Sequence, residues 1–313
     1  MVAVISVWVF PVSLVIAGQQ PVTPEEIVGE LPPSDPLITE SEPWLVVTSC
    51  VVALAMSILV LRRRLWVLPP GVGPSWAARF EVMLGAWIAM LLSTMIGAFI
   101  AIQIFQPSTD LGLQGVGMLG SYLLQIVILV VVVVDQWRNR GRSPRTTSPV
   151  GLSRAVLWGL FGFVVALPVS QSLGMLAGLL QSFFSDAETP VLAHDTLVAI
   201  SRDPWAGWSV TISILVILVT PCLEEFAYRG LLQQGFRKLG SGRLSAILLT
   251  SLMFVFMHVP NLDSGSMVEP LVALLSLSLI LGWLYERTGR LLTPILVHAL
   301  FNASNLLLMS FTL

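Results

Sequence analysis

The sequence predicts an all-α fold: a polytopic membrane bundle of about eight transmembrane helices, preceded by an N-terminal signal or anchor segment. Two observations, the composition and the apolar stretches, predict it, and the net charge excludes one class of partner. Of the 313 residues, 55% are hydrophobic and 11% are charged, whereas a typical soluble domain has about 25% charged residues. Nine apolar stretches approach the ~20 residues that a helix needs to span a bilayer. The net charge of -2 gives no basic field, which argues against a nucleic-acid partner.

The apolar stretches follow one another along the chain. The first, residues 2–17, is short and lacks a basic start, and both a cleaved signal peptide and a retained anchor (residues 1–17) remain open. The acidic, proline-rich stretch 18–43 has too little apolar content to pack, so we expect an outer tether there. Helices are then expected at residues 44–61, 82–105, 115–134, 155–184, 207–228, 244–260, 270–285 and 291–311. Two of them contain Cys50 and Cys222, which we expect to be buried thiols.

Basic residues accumulate in every second connection between these helices. All but two of the 16 Lys and Arg residues lie in the connections at 62–79, 138–154, 237–243 and 287–290. The exceptions are Arg202, in a connection of the opposite set, and Arg229, inside an apolar stretch. Because such residues are retained on the cytoplasmic side, these four connections are predicted to be cytoplasmic.

Two adjacent glutamates, Glu224 and Glu225, follow the apolar run that begins near Trp208. Acidic groups at bilayer depth are costly, at about 3 kcal/mol each by insertion scales, and are usually functional. Glu225 and Arg229 stand at i and i+4 on one helix face, so they are expected to pair, leaving Glu224 available on another face. The alternative is that the helix has ended and both acids lie among lipid headgroups.

Two of the three histidines also fall inside apolar stretches. His258 ends one stretch and His298 lies in another, whereas His194 lies in an outer connection. Counted from the basic turn at 237–243, Glu224 and His258 are both about 21 to 23 Å along their helices, at 1.5 Å per residue. His298 and Asn302 share a helix face. The four side chains are therefore predicted to converge on one polar pocket.

Three motifs in order resemble the CPBP family of intramembrane proteases. They are Glu224 to Arg229 (Glu-Glu-x-x-x-Arg), Phe254 to His258 (Phe-x-x-x-His) and His298 to Asn302 (His-x-x-x-Asn). This family includes CAAX prenyl endopeptidases of the Rce1 type and bacterial Abi, immunity-type and lysostaphin-resistance-protein-A-like proteins. The resemblance covers about residues 205–310. It implies N-terminal transmembrane helices over 44–150 and a catalytic transmembrane domain over 151–313.

The resemblance also implies roles for the motif residues. Glu224 with His258 would activate a water, and His298 with Asn302 would stabilise the oxyanion. Supporting roles fall to Glu225, Arg229 and Phe254. The family is often described as metalloproteases, and Glu224, His258 and His298 would be the ligands if zinc were bound. The compact His-Glu-x-x-His motif of zinc proteases is absent, so a metal-free mechanism without a cofactor is favoured.

The resemblance implies an integral-membrane endopeptidase acting on a membrane-associated peptide, of which a prenylated CAAX-type protein is one class. Its partners would be membrane lipid and that substrate. The arginine-rich connections, with no organelle signal in the sequence, favour a bacterial plasma membrane as its location. Two alternatives remain open. One is a non-proteolytic immunity or binding protein on the same fold, and the other is a transporter whose buried acids bind protons or ions.

Overall fold

A computed structural model describes residues 43–74, 78–139, 149–184, 200, 203–259 and 267–312. These residues form eight helices and no strand, which confirms the predicted all-α class. Apart from Pro43, the predicted signal or anchor segment and the outer tether lie outside the described residues. The helices are α1 (Pro43–Arg62), α2 (Phe80–Phe105), α3 (Asp110–Asn139), α4 (Leu152–Ser182), α5 (Gly207–Lys238), α6 (Arg243–His258), α7 (Val268–Thr288) and α8 (Leu292–Thr312).

Five of these helices, α2, α3, α4, α5 and α7, are long and apolar enough to cross a bilayer. The other three are shorter apolar helices over their described residues. Large apolar side chains cover the outside of the bundle, as at Phe105 (71% exposed) and Leu123 (65% exposed). Water does not solvate such a surface, whereas lipid does. The protein is therefore an integral membrane protein.

Helix α5 lies at the centre of the bundle. It contacts α2, α3, α6, α7 and α8, while α4 packs on α1, α7 and α8. Among the five candidate spans, α5 and α7 have the largest buried shares. Polar groups on α5 are therefore enclosed by protein, which is where ionisable side chains are tolerated in a membrane.

Helices α2 and α3 approach closely through small residues. A Cβ atom at Gly97 would overlap the backbone of α3 at Gly120. Ser121 Oγ donates to the Thr94 carbonyl at 2.7 Å, and Gln125 Nε2 donates to Thr94 Oγ1 at 2.7 Å. Glycine at the crossing and hydrogen bonds beside it are typical of helix pairs in membranes. Both helices of this pair also contact α5.

The connections rich in basic residues meet at one end of the bundle. Each helix end there is tied to another by hydrogen bonds to main-chain carbonyls. These are Arg243 Nη1 to Pro69 at 3.0 Å, Arg287 Nη1 to Leu65 at 2.9 Å, and the Val150 amide to Thr288 at 2.9 Å. The alternation read from the sequence therefore corresponds to one common basic end.

Helix α5 continues beyond its expected end at residue 228 and stops at Lys238. The reason is a buried polar contact. Gln233 and Gln234 are 0% and 5% exposed, and their Nε2 atoms donate to Glu286 Oε1 at 3.1 and 3.4 Å. Because Glu286 of α7 accepts hydrogen bonds from these amides, Gln233 and Gln234 remain in a buried helix. From the sequence alone, these polar residues are expected to lie beyond the end of the membrane helix.

The prediction that both cysteines are buried is wrong. Cys222 is exposed and Cys50 is half-buried. Cys222 continues an outward-facing stripe with Ile214 and Leu218, which are 52% and 58% exposed, at a spacing of four residues. A thiol is apolar enough to face lipid. Apolar neighbours in the sequence therefore did not show whether a cysteine faces lipid or is buried in protein.

Candidate active site

Two stretches of π-helix flank the glutamate pair in α5. They are Leu215–Val219 before it and Phe226–Gln233 directly after it, with Thr220–Glu225 in the α-helical conformation between them. The π conformation widens a helix and displaces its hydrogen bonds, and it is frequent at functional sites. The sequence reading did not predict either stretch.

Pro221 and the first π stretch together leave the Val216 carbonyl of α5 without a backbone donor. The amide of Thr220 donates to the Leu215 carbonyl instead of to Val216, and Pro221 has no N–H to donate in its place. The Val216 carbonyl therefore lacks both backbone donors. Asn302 Nδ2 of α8 donates to this carbonyl at 3.0 Å. A proline in α5 thus fixes the position of Asn302 in α8.

Glu225 and Arg229 form the ion pair that their i, i+4 spacing predicts. Arg229 Nη1 lies 2.9 Å from Glu225 Oε1, and both side chains are 0% exposed. Arg229 Nη2 donates to the carbonyl and hydroxyl oxygens of Ser278 at 3.1 and 2.8 Å. A buried charge pair needs such additional hydrogen bonds to offset its desolvation.

Glu224 is also buried, at 2% exposed, so the alternative of headgroup-exposed acids is wrong.

His298 lies between the two glutamates. Its Nδ1 is 2.9 Å from Glu225 Oε1, and its Nε2 is 3.7 Å from Glu224 Oε2. Because the Arg229-paired carboxylate is an acceptor, Nδ1 carries a hydrogen and donates it. Glu225 therefore orients the ring and directs Nε2 toward Glu224. The sequence placed His298 near the pocket but did not show which glutamate holds it.

His258 is oriented by its own helix. Its Nδ1 is 2.6 Å from the Phe254 carbonyl oxygen, so Nδ1 is the donor and Nε2 is the other nitrogen. The ring of Phe254 lies 4.4 Å from that of His258 and 6.3 Å from that of His298, measured between centroids. Phe254 is fully buried and also lies under the Arg229 guanidinium, 5.1 Å from Cζ. Phe254 therefore positions both histidines and the arginine.

The four predicted catalytic side chains are thus brought to the same buried region. Glu224 and His258 are each 2% exposed, and His298 and Asn302 are 0% exposed. His194 lies outside the described residues.

Sequence reasoning missed Ser278, which is not part of any motif, and the pair formed by Tyr122 and Thr220. Tyr122 Oη lies 2.5 Å from Thr220 Oγ1 at the turn before the glutamates, and only the fold brings α3 to this point.

The charges of the buried cluster determine how many protons it carries. Glu224, Glu225 and Arg229 together carry one excess negative charge when all three are ionised. Burying a net charge is costly, whereas one added proton makes the cluster neutral. Glu225 is already paired with Arg229, and Glu224 Oε2 lies 3.7 Å from His298 Nε2. This arrangement can donate and accept one proton, which is what acid–base chemistry requires.

Glu224, His258 and His298 are the candidate zinc ligands. Both histidines have Nδ1 beside an oxygen and Nε2 as the other ring nitrogen, which is the usual arrangement of metal-bound histidine. Among the described residues, however, no three His, Cys, Asp or Glu side chains are grouped as ligands of one ion. The metal-free mechanism favoured from the sequence therefore stays a prediction.

Comparison with known proteins supports the relationship read from the motifs. Neither a curated protein nor a solved structure matches the chain. One family model does, and the matched range runs from the residue before α5 into α8, including all three motifs. The resemblance seen in the sequence is therefore confirmed: residues 206–304 match the Rce1-like family of type II CAAX prenyl endopeptidases.

Proposed function

We propose that the protein is an integral-membrane endopeptidase that hydrolyses a peptide bond of a membrane-associated substrate with a water activated by Glu224. The family match favours a CAAX-type protease activity. The observation that carries the proposal is the buried pair of Glu224 Oε2 and His298 Nε2, 3.7 Å apart, in which His298 is held by Glu225.

The separation of this pair suits one water molecule. Two polar atoms 3.7 Å apart can both hydrogen-bond a water lying to one side at about 2.8 Å from each. The buried setting strengthens such interactions relative to bulk solvent. In this mechanism Glu224 is a carboxylate that accepts a proton from this water, and His298 Nε2 carries a hydrogen. His258 assists Glu224 by orienting the water.

The resulting hydroxide adds to the carbonyl carbon of the scissile bond. Negative charge then develops on the carbonyl oxygen, where His298 Nε2–H and an Asn302 N–H donate hydrogen bonds. One Asn302 hydrogen is used at the Val216 carbonyl, and the second remains for this role. As the C–N bond breaks, Glu224 returns its proton to the leaving amine. The products are a carboxylic acid and an amine, between which one proton then passes to give a carboxylate and an ammonium, and the mechanism uses no metal.

The substrate class follows from the position of the site. The glutamates lie in a helix that is long and apolar enough to span a bilayer, enclosed by other helices. A substrate must reach them from the lipid or from the basic end of the bundle, so we propose a peptide held at the membrane. A prenylated CAAX-type tail meets this requirement. We further propose, from the distribution of arginines, that the basic end faces the cytoplasm, and that the membrane is a bacterial plasma membrane.

The proposal is tested by comparing membrane peptides from cells that produce the wild-type protein or Glu224→Gln. The glutamine variant has nearly the same shape but cannot accept a proton, so cleavage products should disappear. Glu81→Gln, at an exposed acid of α2, is the matched control and should leave the products unchanged. The purified proteins are then assayed on a prenylated CAAX-type peptide.

The outcome also decides between the two main function classes. Loss of cleavage in Glu224→Gln and His258→Ala, with melting temperatures near that of the wild type, supports hydrolysis. If both variants fold and retain the full biological activity, the protein acts by binding, as an immunity-type protein would. Substrate flux across proteoliposomes that depends on Glu224 would instead favour transport.

A further inference from the structure

A cavity lies at the basic end of the bundle, away from the glutamates. It has a volume of about 310 Å³ and is lined by Leu65, Arg154, Leu157, Trp158 and Phe161. The first follows the end of α1 and the others lie on the first three turns of α4. We call this the α1–α4 cavity. Its wall is apolar and aromatic except for one guanidinium.

Arg154 lines the cavity, and three further arginines directly precede its lining residue Leu65 in the chain. Residues 43–74 and 149–184 contain no Asp or Glu. Within the described part of the chain, Arg62, Arg63, Arg64 and Arg154 form no ion pair with a carboxylate. All four are exposed. An uncompensated group of guanidinium ions beside a cavity attracts an anion.

Arg287 of α7 adds a fifth charge. Its Cζ lies 4.1 Å from the ring of Trp158 and 5.2 Å from that of Trp283. Its Nη1 donates to the carbonyls of Leu65 and Val67, which fixes the loop that closes the cavity. Arg287 Nε is buried without a hydrogen-bond partner among the described residues. This donor can be satisfied by an acceptor from outside the chain.

The start of α4 also favours the binding of an anion. Its first turn contains Arg154 and no acid, and its N-cap, Gly151, forms no side-chain cap. Unsatisfied amides at a helix start favour a negative group. Tryptophan and arginine together at this depth are typical of the headgroup region of a bilayer. Beyond this region the wall continues along Leu157 and Phe161, which suit a hydrocarbon chain.

We propose that the α1–α4 cavity binds one anionic phospholipid. The phosphate lies at Arg154 and the start of α4, and one acyl chain lies along Leu157 and Phe161. A free phosphate ion would use the guanidinium but not the apolar wall. The lipid is therefore the occupant that matches both parts of the cavity, and its binding does not depend on the proteolytic activity proposed above.

The test uses the purified full-length protein in a neutral detergent, titrated with dioleoylphosphatidylglycerol and followed by native mass spectrometry and thermal melting. We expect saturable binding of one lipid and a rise in melting temperature. Dioleoylphosphatidylcholine, which has the same chains and no net charge, should give neither. Arg154→Gln should weaken binding about fivefold, from the effect of one basic residue near a membrane anion. Trp158→Leu should weaken it as well.

Arg138→Gln is the matched control, because Arg138 is exposed at the basic end of α3 and does not line the cavity. It should bind as the wild type does. Equal effects of the two lipids, or equal affinities of Arg154→Gln and Arg138→Gln, would overturn the proposal. Unchanged affinity of Trp158→Leu would remove the cavity as the site. If inorganic phosphate alone reproduced the thermal shift, the occupant would be a small anion and the lipid assignment would be wrong.

Discussion

Replacement of Arg229 by methionine tests the charge arrangement of the site. The substitution keeps a long side chain but removes the 2.9 Å ion pair with Glu225 and the two hydrogen bonds to Ser278. It leaves Glu225, which is 0% exposed, without its positive partner. Breaking one partner from a buried pair costs about 3–5 kcal/mol. The expected loss in stability is therefore large for a single substitution.

The assay is thermal melting of the purified protein in detergent. At roughly 2 °C per kcal/mol for a chain of this size, Arg229→Met should lower the melting temperature by about 6–10 °C. The double variant Glu225→Gln/Arg229→Met removes both charges, so its loss should be clearly smaller than the sum of the two single losses. Arg237→Met is the control, because this half-exposed residue lies 3.9 Å from its carboxylate partner and should change melting little.

Two results would refute this reasoning. One is a melting temperature of Arg229→Met within about 2 °C of the wild type, below the loss expected for an unpaired buried charge. The other is additivity of the two single changes in the double variant, since residues in direct contact should show a coupling energy.

Three further predictions concern the helix geometry and the chemistry. Pro221→Ala supplies a backbone N–H that competes with Asn302 for the Val216 carbonyl, so kcat should fall while the melting temperature is kept or raised; unchanged kcat would contradict the role of the π stretch. Gly97→Leu should lower the melting temperature because its side chain would overlap α3, whereas Gly85→Leu, where nothing lies within 4 Å, should not; equal melting of the two would contradict the close crossing. Chelation should leave turnover unchanged, and stoichiometric zinc whose removal abolishes turnover would contradict a metal-free mechanism.

The sequence was sufficient for the helices and for the local part of the site. Apolar length located all eight described helices, because a span needs a fixed number of apolar residues. The Glu225–Arg229 pair followed from helical spacing alone. The meeting of the basic connections at one end followed from the distribution of arginines. Each of these predictions depends only on neighbours along the chain or on the requirement to cross a bilayer.

What the sequence could not supply depends on contacts between helices. The first π stretch of α5 is stabilised by Asn302 from α8, and the continuation of α5 past residue 228 depends on Glu286 from α7. His298 has one ring nitrogen near Glu225 and the other near Glu224, and this placement depends on the rotation of α8 relative to α5. Spacing within one helix carries no information about these distances. The proposed roles of Glu224, His258, His298 and Asn302 in catalysis remain predictions.

The central claim is that a water activated by Glu224 attacks the scissile carbonyl directly. It is tested by a single turnover of the purified protein on a cleaved peptide in water enriched in ¹⁸O, followed by mass spectrometry of both products and of the protein. Direct attack predicts one ¹⁸O in the new C-terminal carboxylate of the product and none in Glu224. Label in the Glu224 carboxylate would indicate a covalent acyl intermediate, and cleavage by Glu224→Gln at the wild-type rate would contradict any role of this residue.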